Sequence, residues 1–166
     1  ILYRIKRNGP VQLKIKKGFQ SGKDFVVLVQ LADYYNFITD NEHQLKRYFF
    51  EENVRDYLGN NRTNTDIMNT LEAQDEIDFW NLNNGITLLT SSATLYDDTI
   101  EAENIQIVNG LQTTNTIFNY FSNGGTDGAK RSVLVKIIVS TEPIVRKNII
   151  QATNNQSVIP LYSLHA

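Results

Sequence analysis

The 166-residue sequence contains no cysteine, so it has no disulfide, no thiolate nucleophile and no cysteine-rich zinc site. It contains two histidines, His43 and His165, which are too few for a metal site built from several imidazole ligands. No run approaches the roughly 18 consecutive apolar residues that a membrane-spanning helix requires. These absences exclude a disulfide scaffold, a multi-histidine metal centre and a helical membrane span.

An excess of positive charge is absent as well. The chain has 16 Lys and Arg against 18 Asp and Glu, which gives a net charge of −2 at pH 7. A uniformly basic nucleic-acid-binding surface is therefore excluded, although a local basic face is not. The hydrophobic fraction of 41% is typical of a globular protein, and the length fits one domain. Because the sequence begins with Ile1 rather than Met, we expect it to be part of a longer protein.

Strand and helix signals alternate along the chain without regular βαβ units. Apolar runs predict strands at residues 25–31, 86–89, 105–108 and 133–139, the last of them central in a sheet. Helical patterns cover residues 33–38, the stretch from Gly110 to about Phe121, and residues 143–153, where Asn154 to Gln156 are expected to end the helix. The sequence therefore predicts an α+β fold in which a mixed β-sheet packs against several helices.

Basic residues alternate with apolar ones near the N-terminus. Residues 1–6 and 11–16 flank a turn signal and predict a hairpin with a basic outer face, whereas residues 17–23 predict a loop. We therefore divide the single domain, residues 1–166, into a basic hairpin at 1–22 and a core at 25–160. The basic strip either contacts phosphates or protects a sheet edge from pairing; it consists of Arg4, Lys6, Lys14 and Lys16, with Arg7 and Lys17 at its ends.

The dipeptide Asn109-Gly110 joins a predicted strand to a predicted helix. Glycine at this turn can adopt a positive φ and allows a ligand to approach the backbone, while the helix N-terminus favours an anion. Asn109 and Gln112 add donors and acceptors, and the hydroxyls of Thr113 and Thr114 can bind phosphate or cap the helix. The alternative is an ordinary turn followed by an ordinary first helical turn.

Three further segments, at residues 53–55, 83–85 and 153–156, place amide, glycine or arginine groups at the ends of apolar elements. Together with residues 109–114 they make four segments, numbered in chain order. Arg55 of the first segment suits phosphate, although an ion pair with a neighbouring carboxylate is the alternative. Trp80, just before the second segment, could stack on a base, although packing in the core is the alternative. The candidate ligand-binding residues of all four segments are Asn53, Arg55, Trp80, Asn83, Asn84, Gly85, Asn109, Gly110, Gln112, Thr113, Asn154, Asn155 and Gln156.

Familiar catalytic motifs are missing from the sequence. It contains neither G-x-S-x-G nor a P-loop, and amide side chains do not titrate, so they provide no general acid or base. A two-metal nuclease needs clustered carboxylates, and those near the four segments are few: Glu51, Glu52 and Asp56. The pattern therefore indicates a binding site for a polar, phosphorylated ligand rather than a hydrolase, and it assigns no catalytic residue and no metal ligand.

The four segments, in this order, resemble the AIPR family of bacterial abortive-infection phage-resistance proteins. The resemblance runs from Val27 to Ile159 and implies a cytoplasmic phage-defence protein whose remaining domains lie outside this sequence. The stretches that carry it are Asn53-Val54-Arg55-Asp56-Tyr57-Leu58-Gly59, Phe79-Trp80-Asn81-Leu82-Asn83-Asn84-Gly85-Ile86-Thr87, Ile107-Val108-Asn109-Gly110-Leu111-Gln112-Thr113 and Ala152-Thr153-Asn154-Asn155-Gln156.

A more distant likeness is to the ParB/sulfiredoxin-like superfamily. In that superfamily a strand ends in Asp-Gly-x-His/Gln-Arg before a helix, and the turn binds nucleotide phosphates or acts on DNA. Here Asn109 stands where Asp is common and Thr113 where Arg is common. Phosphate binding at this turn would therefore need a positive charge from elsewhere, for which Arg55 is the candidate.

Three functions remain open from the sequence. The first is a phage-defence domain that binds nucleic acid or a nucleotide at the glycine turn, with Mg²⁺ accompanying a bound nucleotide. The second is a metal-dependent nuclease or nucleotide hydrolase that uses Glu51, Glu52, Asp56 or residues of the flanking chain. The third is a structural or interaction domain in which the amides hydrogen-bond one another. No membrane partner is expected.

Overall fold

The structure is a computed structural model that describes residues 9–50, 85–126, 128, 129 and 131–157. For residues 153–157 it describes the backbone only. Within this part of the chain, eight strands and three α-helices form the α+β fold that the sequence predicts. The strands are β1 Val11–Lys14, β2 Lys17–Ser21, β3 Asp24–Gln30, β4 Ile86–Thr90, β5 Ser92–Tyr96, β6 Thr99–Glu103, β7 Gln106–Asn109 and β8 Ser132–Val139. The α-helices are α1 Leu31–Ile38, α2 Leu111–Ser122 and α3 Pro143–Ser157, and a 3₁₀ helix spans Arg47–Phe50.

Five strands form the larger sheet, in the order β2-β3-β8-β4-β7. Its pairs are antiparallel except for β4 and β8, which run parallel. Parallel neighbours require a crossover, and here the intervening chain contains β5, β6, β7 and α2. β8 lies in the middle of the sheet, as its nearly continuous apolar sequence predicts.

One face of this sheet, called the inner face below, packs against α1 and α2. Alternate residues of β3, Phe25, Val27 and Val29, are buried there, and they share one core with the buried faces of the two helices. Tyr35 of α1 stacks on Phe118 of α2, with 6.2 Å between ring centroids. Each fully buried aliphatic or aromatic side chain contributes about 1.5–3 kcal/mol, so this core is the main source of stability.

Three strands form the smaller antiparallel sheet, in the order β1-β6-β5. Its buried residues Leu13, Ile100 and Ala102 belong to the same core as the larger sheet. A turn at Asp97 and Asp98 connects β5 to β6. β1 pairs with β6, whereas its predicted hairpin partner, residues 1–6, lies outside the described residues.

Two predictions about secondary structure are wrong. Lys17–Ser21 forms β2 instead of a loop, because it pairs residue by residue with β3 although its own side chains are exposed. Gly18 faces Val27 there, and a Cβ atom at Gly18 would lie 2.6 Å from Val27 Cγ1. Helix α3 continues through Asn154, Asn155 and Gln156 to Ser157 instead of ending at them.

Of the described helices, none combines the length and the apolar character that crossing a membrane would need. The division of the chain into residues 1–22 and 25–160 stays a prediction.

Candidate functional site

The second and third of the four sequence segments meet at Gly85 and Gly110. β4 begins directly after Gly85, and β7 ends directly before Gly110. Because the two strands pair antiparallel, the start of one lies beside the end of the other. A Cβ atom at Gly110 would lie 2.9 Å from the carbonyl oxygen of Gly85. We call these two residues the glycine junction.

Both residues of the glycine junction have left-handed backbone conformations. Gly85 has a φ of 83° and Gly110 a φ of 89°. A Cβ atom at Gly85 would lie 2.7 Å from the carbonyl oxygen of Leu134 in β8. Backbone conformation and close packing therefore both require glycine at these two positions. The turn that the sequence predicts at Gly110 is confirmed, and Gly110 is the N-cap of α2.

A β-bulge lies beside the glycine junction. Thr87 of β4 pairs with Asn109, but Leu88 pairs with Ile107, so Val108 is an extra residue in β7. Bulges redirect neighbouring side chains and occur often next to active sites. Here the bulge immediately precedes Asn109 and the glycine junction.

The N-terminus of α2 has no side-chain cap among the described residues. The carboxamide oxygen of Asn109 accepts a hydrogen bond from the N–H of Gly110 at 2.9 Å, so this side chain stabilises its own turn. The helical ladder begins where the N–H of Thr114 donates to the carbonyl oxygen of Gly110 at 2.9 Å. The N–H groups of residues 111–113 therefore have no acceptor within the helix, which is the arrangement that binds anions.

The hydroxyl of Thr114 does not face a ligand. Thr114 and Tyr34 are both fully buried, and their side-chain oxygens form a 2.8 Å hydrogen bond between α2 and α1. Burial raises the pKa of Tyr34 well above its ordinary value, so its hydroxyl stays protonated. The suggestion that Thr114 binds phosphate is therefore wrong, and this residue instead fixes the first turn of α2 to the core. Thr113 is also mostly buried, whereas Gln112 is half-buried.

Strand β7 also contacts two elements that adjoin the other segments. One is the 3₁₀ helix Arg47–Phe50, which precedes the first segment, and the other is α3, which contains the fourth. The amide nitrogen of Gln106 donates to the carbonyl oxygen of Tyr48 at 2.8 Å, which joins β7 to the 3₁₀ helix. Helix α3 packs against β7. Arg146 in α3 donates to the carbonyl oxygen of Ser140 at 3.2 Å and to that of Asn104 at 3.5 Å. Elements adjoining all four segments thus converge on β7.

The structure brings together five of the thirteen candidate residues: Gly85, Asn109, Gly110, Gln112 and Thr113. Three lie in the last turns of α3, where the structure describes the backbone only: Asn154, Asn155 and Gln156. Five lie outside the described residues: Asn53, Arg55, Trp80, Asn83 and Asn84. Membership of these eight in the site stays a prediction.

Sequence reasoning missed two residues next to the glycine junction. Thr87 pairs with Asn109 on one side and with Lys136 of β8 on the other. Lys136 is exposed although it lies in a central strand. A lysine in the middle of the apolar run Ser132–Val139 was the available signal, since a charge in a central strand is unusual.

The described residues contain no group of three or more histidine, aspartate or glutamate side chains that could hold a metal ion. Glu51, Glu52 and Asp56, the candidate carboxylates of the metal-dependent alternative, lie outside this part of the chain. That alternative therefore stays a prediction.

A comparison with protein families gives one relevant match. The family model described as AIPR protein matches residues 50–166, which is more than half of the chain. No curated protein and no solved structure matches the chain. The likeness to the ParB/sulfiredoxin-like superfamily therefore stays a prediction.

Proposed function

The chain belongs to the AIPR family of abortive-infection phage-resistance proteins, and we propose that it serves phage defence by binding nucleic acid or a nucleotide at the glycine junction. The observation that supports this most directly is the contact between Gly85 and Gly110. A Cβ atom on Gly110 would lie 2.9 Å from the carbonyl oxygen of Gly85. This contact brings Gly85 of the second segment against Gly110 of the third, at the N-terminus of α2.

The chemistry of this terminus suits a phosphate group. The first N–H groups of an α-helix lack helical acceptors, and the helix dipole adds a partial positive charge near them. Gly110 carries no side chain that would block the approach of a phosphate oxygen. Gln112, half-buried in the first turn, can both donate to and accept from a nucleotide.

A phosphate also needs a positive charge, which the Asn109 to Thr113 turn itself does not carry. Lys136 of β8 is an exposed cation in the same sheet. It pairs with Thr87 of β4, which in turn pairs with Asn109 of β7. We propose that Arg55 supplies a second charge and that Trp80 stacks on a base. Asn53, Asn83, Asn84, Asn154, Asn155 and Gln156 would complete the site with amide hydrogen bonds. A cytoplasmic location and contacts with further domains belong to the same proposal.

The test is a thermal-shift screen against nucleoside mono-, di- and triphosphates and short single- and double-stranded DNA, with and without Mg²⁺. A ligand at 100 times its dissociation constant adds about 2.7 kcal/mol of stability. In a domain of this size that raises the melting temperature by about 5–10 °C. We expect such a shift, and we expect it to shrink in Gln112→Ala and in Arg55→Ala.

The matched control is Gln20→Ala, since Gln20 is an exposed glutamine of β2, remote from the glycine junction. This variant should keep the full ligand-induced shift. A flat screen, or a shift that survives both Gln112→Ala and Arg55→Ala, would contradict ligand binding at the junction. The structural alternative would then be favoured, in which the amides hydrogen-bond within the protein, as Asn109 does when it accepts from the N–H of Gly110.

A further inference from the structure

The face of the larger sheet that points away from α1 and α2 carries one continuous row of residues. Cross-strand partners lie on the same face of a sheet, and the pairing connects one residue from each of the five strands. We call this set the outer row; it consists of Phe19, Val26, Lys136, Thr87 and Asn109. Its last member lies beside Gly110, so the outer row leads directly to the glycine junction.

Two members of the outer row are exposed in a way that packing does not explain. Phe19 is 66% exposed on β2. Lys136 is exposed on β8, the central strand, so it cannot serve as a charge that protects a sheet edge. Its neighbours directly across the strands, Val26 and Thr87, and along β8, Leu134 and Ile138, are uncharged. Asp24 also lies on this face, two residues from Val26 in β3, and its Oδ1 accepts a hydrogen bond from the N–H of Val139 at 3.0 Å. This carboxylate therefore already has a partner in the backbone of β8.

A second lysine lies on the same face. Lys17 is exposed and lies two residues before Phe19 in β2, on the same side of the strand. It pairs with Leu28 of β3. The open part of the face thus combines an aromatic ring with two cations. Aromatic side chains that stack on bases, together with cations that contact the backbone, are the combination that binds single-stranded nucleic acid.

The length of the outer row selects between a nucleotide and a longer ligand. Five strands at about 4.8 Å spacing span about 19 Å. At about 3.4 Å per stacked nucleotide, this distance corresponds to five or six nucleotides. A mononucleotide held at the glycine junction would leave Phe19 unused, whereas a short oligonucleotide would contact both ends.

We propose that the outer row binds single-stranded nucleic acid, with Phe19 stacking on a base and Lys136 contacting a phosphate. The strand extends across Thr87 towards the glycine junction, and in this respect the inference rests on the proposed function. A single strand exposes the faces of its bases, which Phe19 requires, whereas in a duplex the bases are stacked inside. The net charge of −2 also argues against tight binding to duplex DNA, which depends on many phosphate contacts.

The experiment measures binding of fluorescein-labelled dT8 to the whole chain by fluorescence anisotropy at several salt concentrations. Phe19→Ala should weaken binding by about fivefold or more, since a stacked base contributes at least that much. Phe19→Tyr should retain most of the affinity, because the ring remains. Lys136→Gln should weaken binding and reduce the slope of log K against log salt concentration by about 0.7, the value for one phosphate on a single strand.

The matched controls belong to elements outside the larger sheet. Tyr96 is 60% exposed in the smaller sheet, and Lys147 is exposed on α3. Tyr96→Ala and Lys147→Gln should bind dT8 like the unchanged chain. All variants alter exposed side chains, and equal melting temperatures without DNA will show that each one folds.

Binding of dTMP separates this inference from the proposed function. If dTMP binding depends on Gln112 but dT8 affinity is unchanged in Phe19→Ala and Lys136→Gln, the outer row is not a binding surface and the junction proposal stands. If dT8 affinity falls in both outer-row variants while dTMP does not bind, the outer row stands and the junction proposal fails. An eight-base-pair duplex that binds as tightly as dT8 and depends equally on Phe19 would overturn the single-strand assignment.

Discussion

A Cβ atom on Gly110 would lie 2.9 Å from the carbonyl oxygen of Gly85. The two residues are 25 positions apart in sequence, and both have positive φ. Their contact follows from the antiparallel pairing of β4 with β7, which brings the start of one strand to the end of the other. This relationship places two of the four sequence segments at one point on the molecule.

The first prediction concerns Gly110→Ala. An alanine there must adopt a left-handed conformation, which costs about 1–2 kcal/mol. Its Cβ must also displace the backbone of Gly85 and Ile86, which adds about 1–3 kcal/mol. Urea unfolding measures the sum. Gly124→Ala is the control, because Gly124 has a φ of 88° but nothing within 4 Å of its added Cβ. Equal losses in the two variants would show that the contact with Gly85 is not close.

The second prediction concerns the hydrogen bond between Tyr34 and Thr114. Tyr34→Phe leaves the buried hydroxyl of Thr114 without its partner and should lower the free energy of unfolding by about 1–3 kcal/mol. Adding Thr114→Val removes that unpaired hydroxyl, so the double variant should be more stable than the sum of the two single losses implies. Strict additivity would show that the two hydroxyls do not interact. Tyr96→Phe, at an exposed tyrosine, should change nothing.

The third prediction concerns alkaline pH. Burial raises the pKa of Tyr34 above its ordinary value near 10, whereas the unfolded chain titrates at that ordinary value. Above pH 10 the unfolded state therefore loses a proton that the folded state keeps. This group should lower the free energy of unfolding by about 1.4 kcal/mol per pH unit there, and it should have no effect below pH 9.

Comparison of the chain with Tyr34→Phe isolates this effect. Burial lowers the pKa of Lys46, which gives a stability contribution of opposite sign just below pH 10.5, but this lysine is present in both proteins. The difference in stability between the two should be constant from pH 6 to 9 and shrink above pH 10. A constant difference up to pH 11.5 would contradict the assigned burial of the hydroxyl.

The fourth prediction concerns the link between β7 and the 3₁₀ helix. Gln106 is 5% exposed, and its amide donates to the carbonyl oxygen of Tyr48. Gln106→Leu removes this donor and should lower the free energy of unfolding by about 1–3 kcal/mol. Gln20→Leu is the matched control, because Gln20 is exposed and bonds only its own turn at Gly22; it should change stability by less than about 0.5 kcal/mol. Equal losses of stability in Gln106→Leu and Gln20→Leu would contradict the hydrogen bond between Gln106 and Tyr48.

The sequence was sufficient where a local pattern decides the structure. The apolar run of β8 and the Asn-Gly turn into α2 were predicted correctly, because hydrophobic periodicity and turn chemistry are local properties. Strand β2 was missed because it has no buried side chain and exists through pairing with β3. The end of α3 was missed because asparagine only weakly disfavours a helix, and here the helix continues through it.

The site was only partly predictable for a different reason. Asn109, Gly110 and Gln112 could be named from residue type at a strand-to-helix turn. The contact of Gly110 with Gly85 depends on the register of β4 with β7, including a bulge, and that register is not a property of either strand alone. Lys136 was missed because its place beside Thr87 depends on a parallel pairing across the crossover. Thr114 was misjudged because its partner, Tyr34, lies 80 residues away.

A ¹H–¹⁵N NMR titration with dTMP, with thymidine in a parallel titration, decides whether the glycine junction binds phosphate. If the glycine junction binds phosphate, the amide signals of Leu111, Gln112 and Thr113 should shift saturably with dTMP and stay unchanged with thymidine. If these three signals do not move with dTMP, or move equally with thymidine, the N-terminus of α2 is not a phosphate site and the proposed function at the glycine junction is wrong.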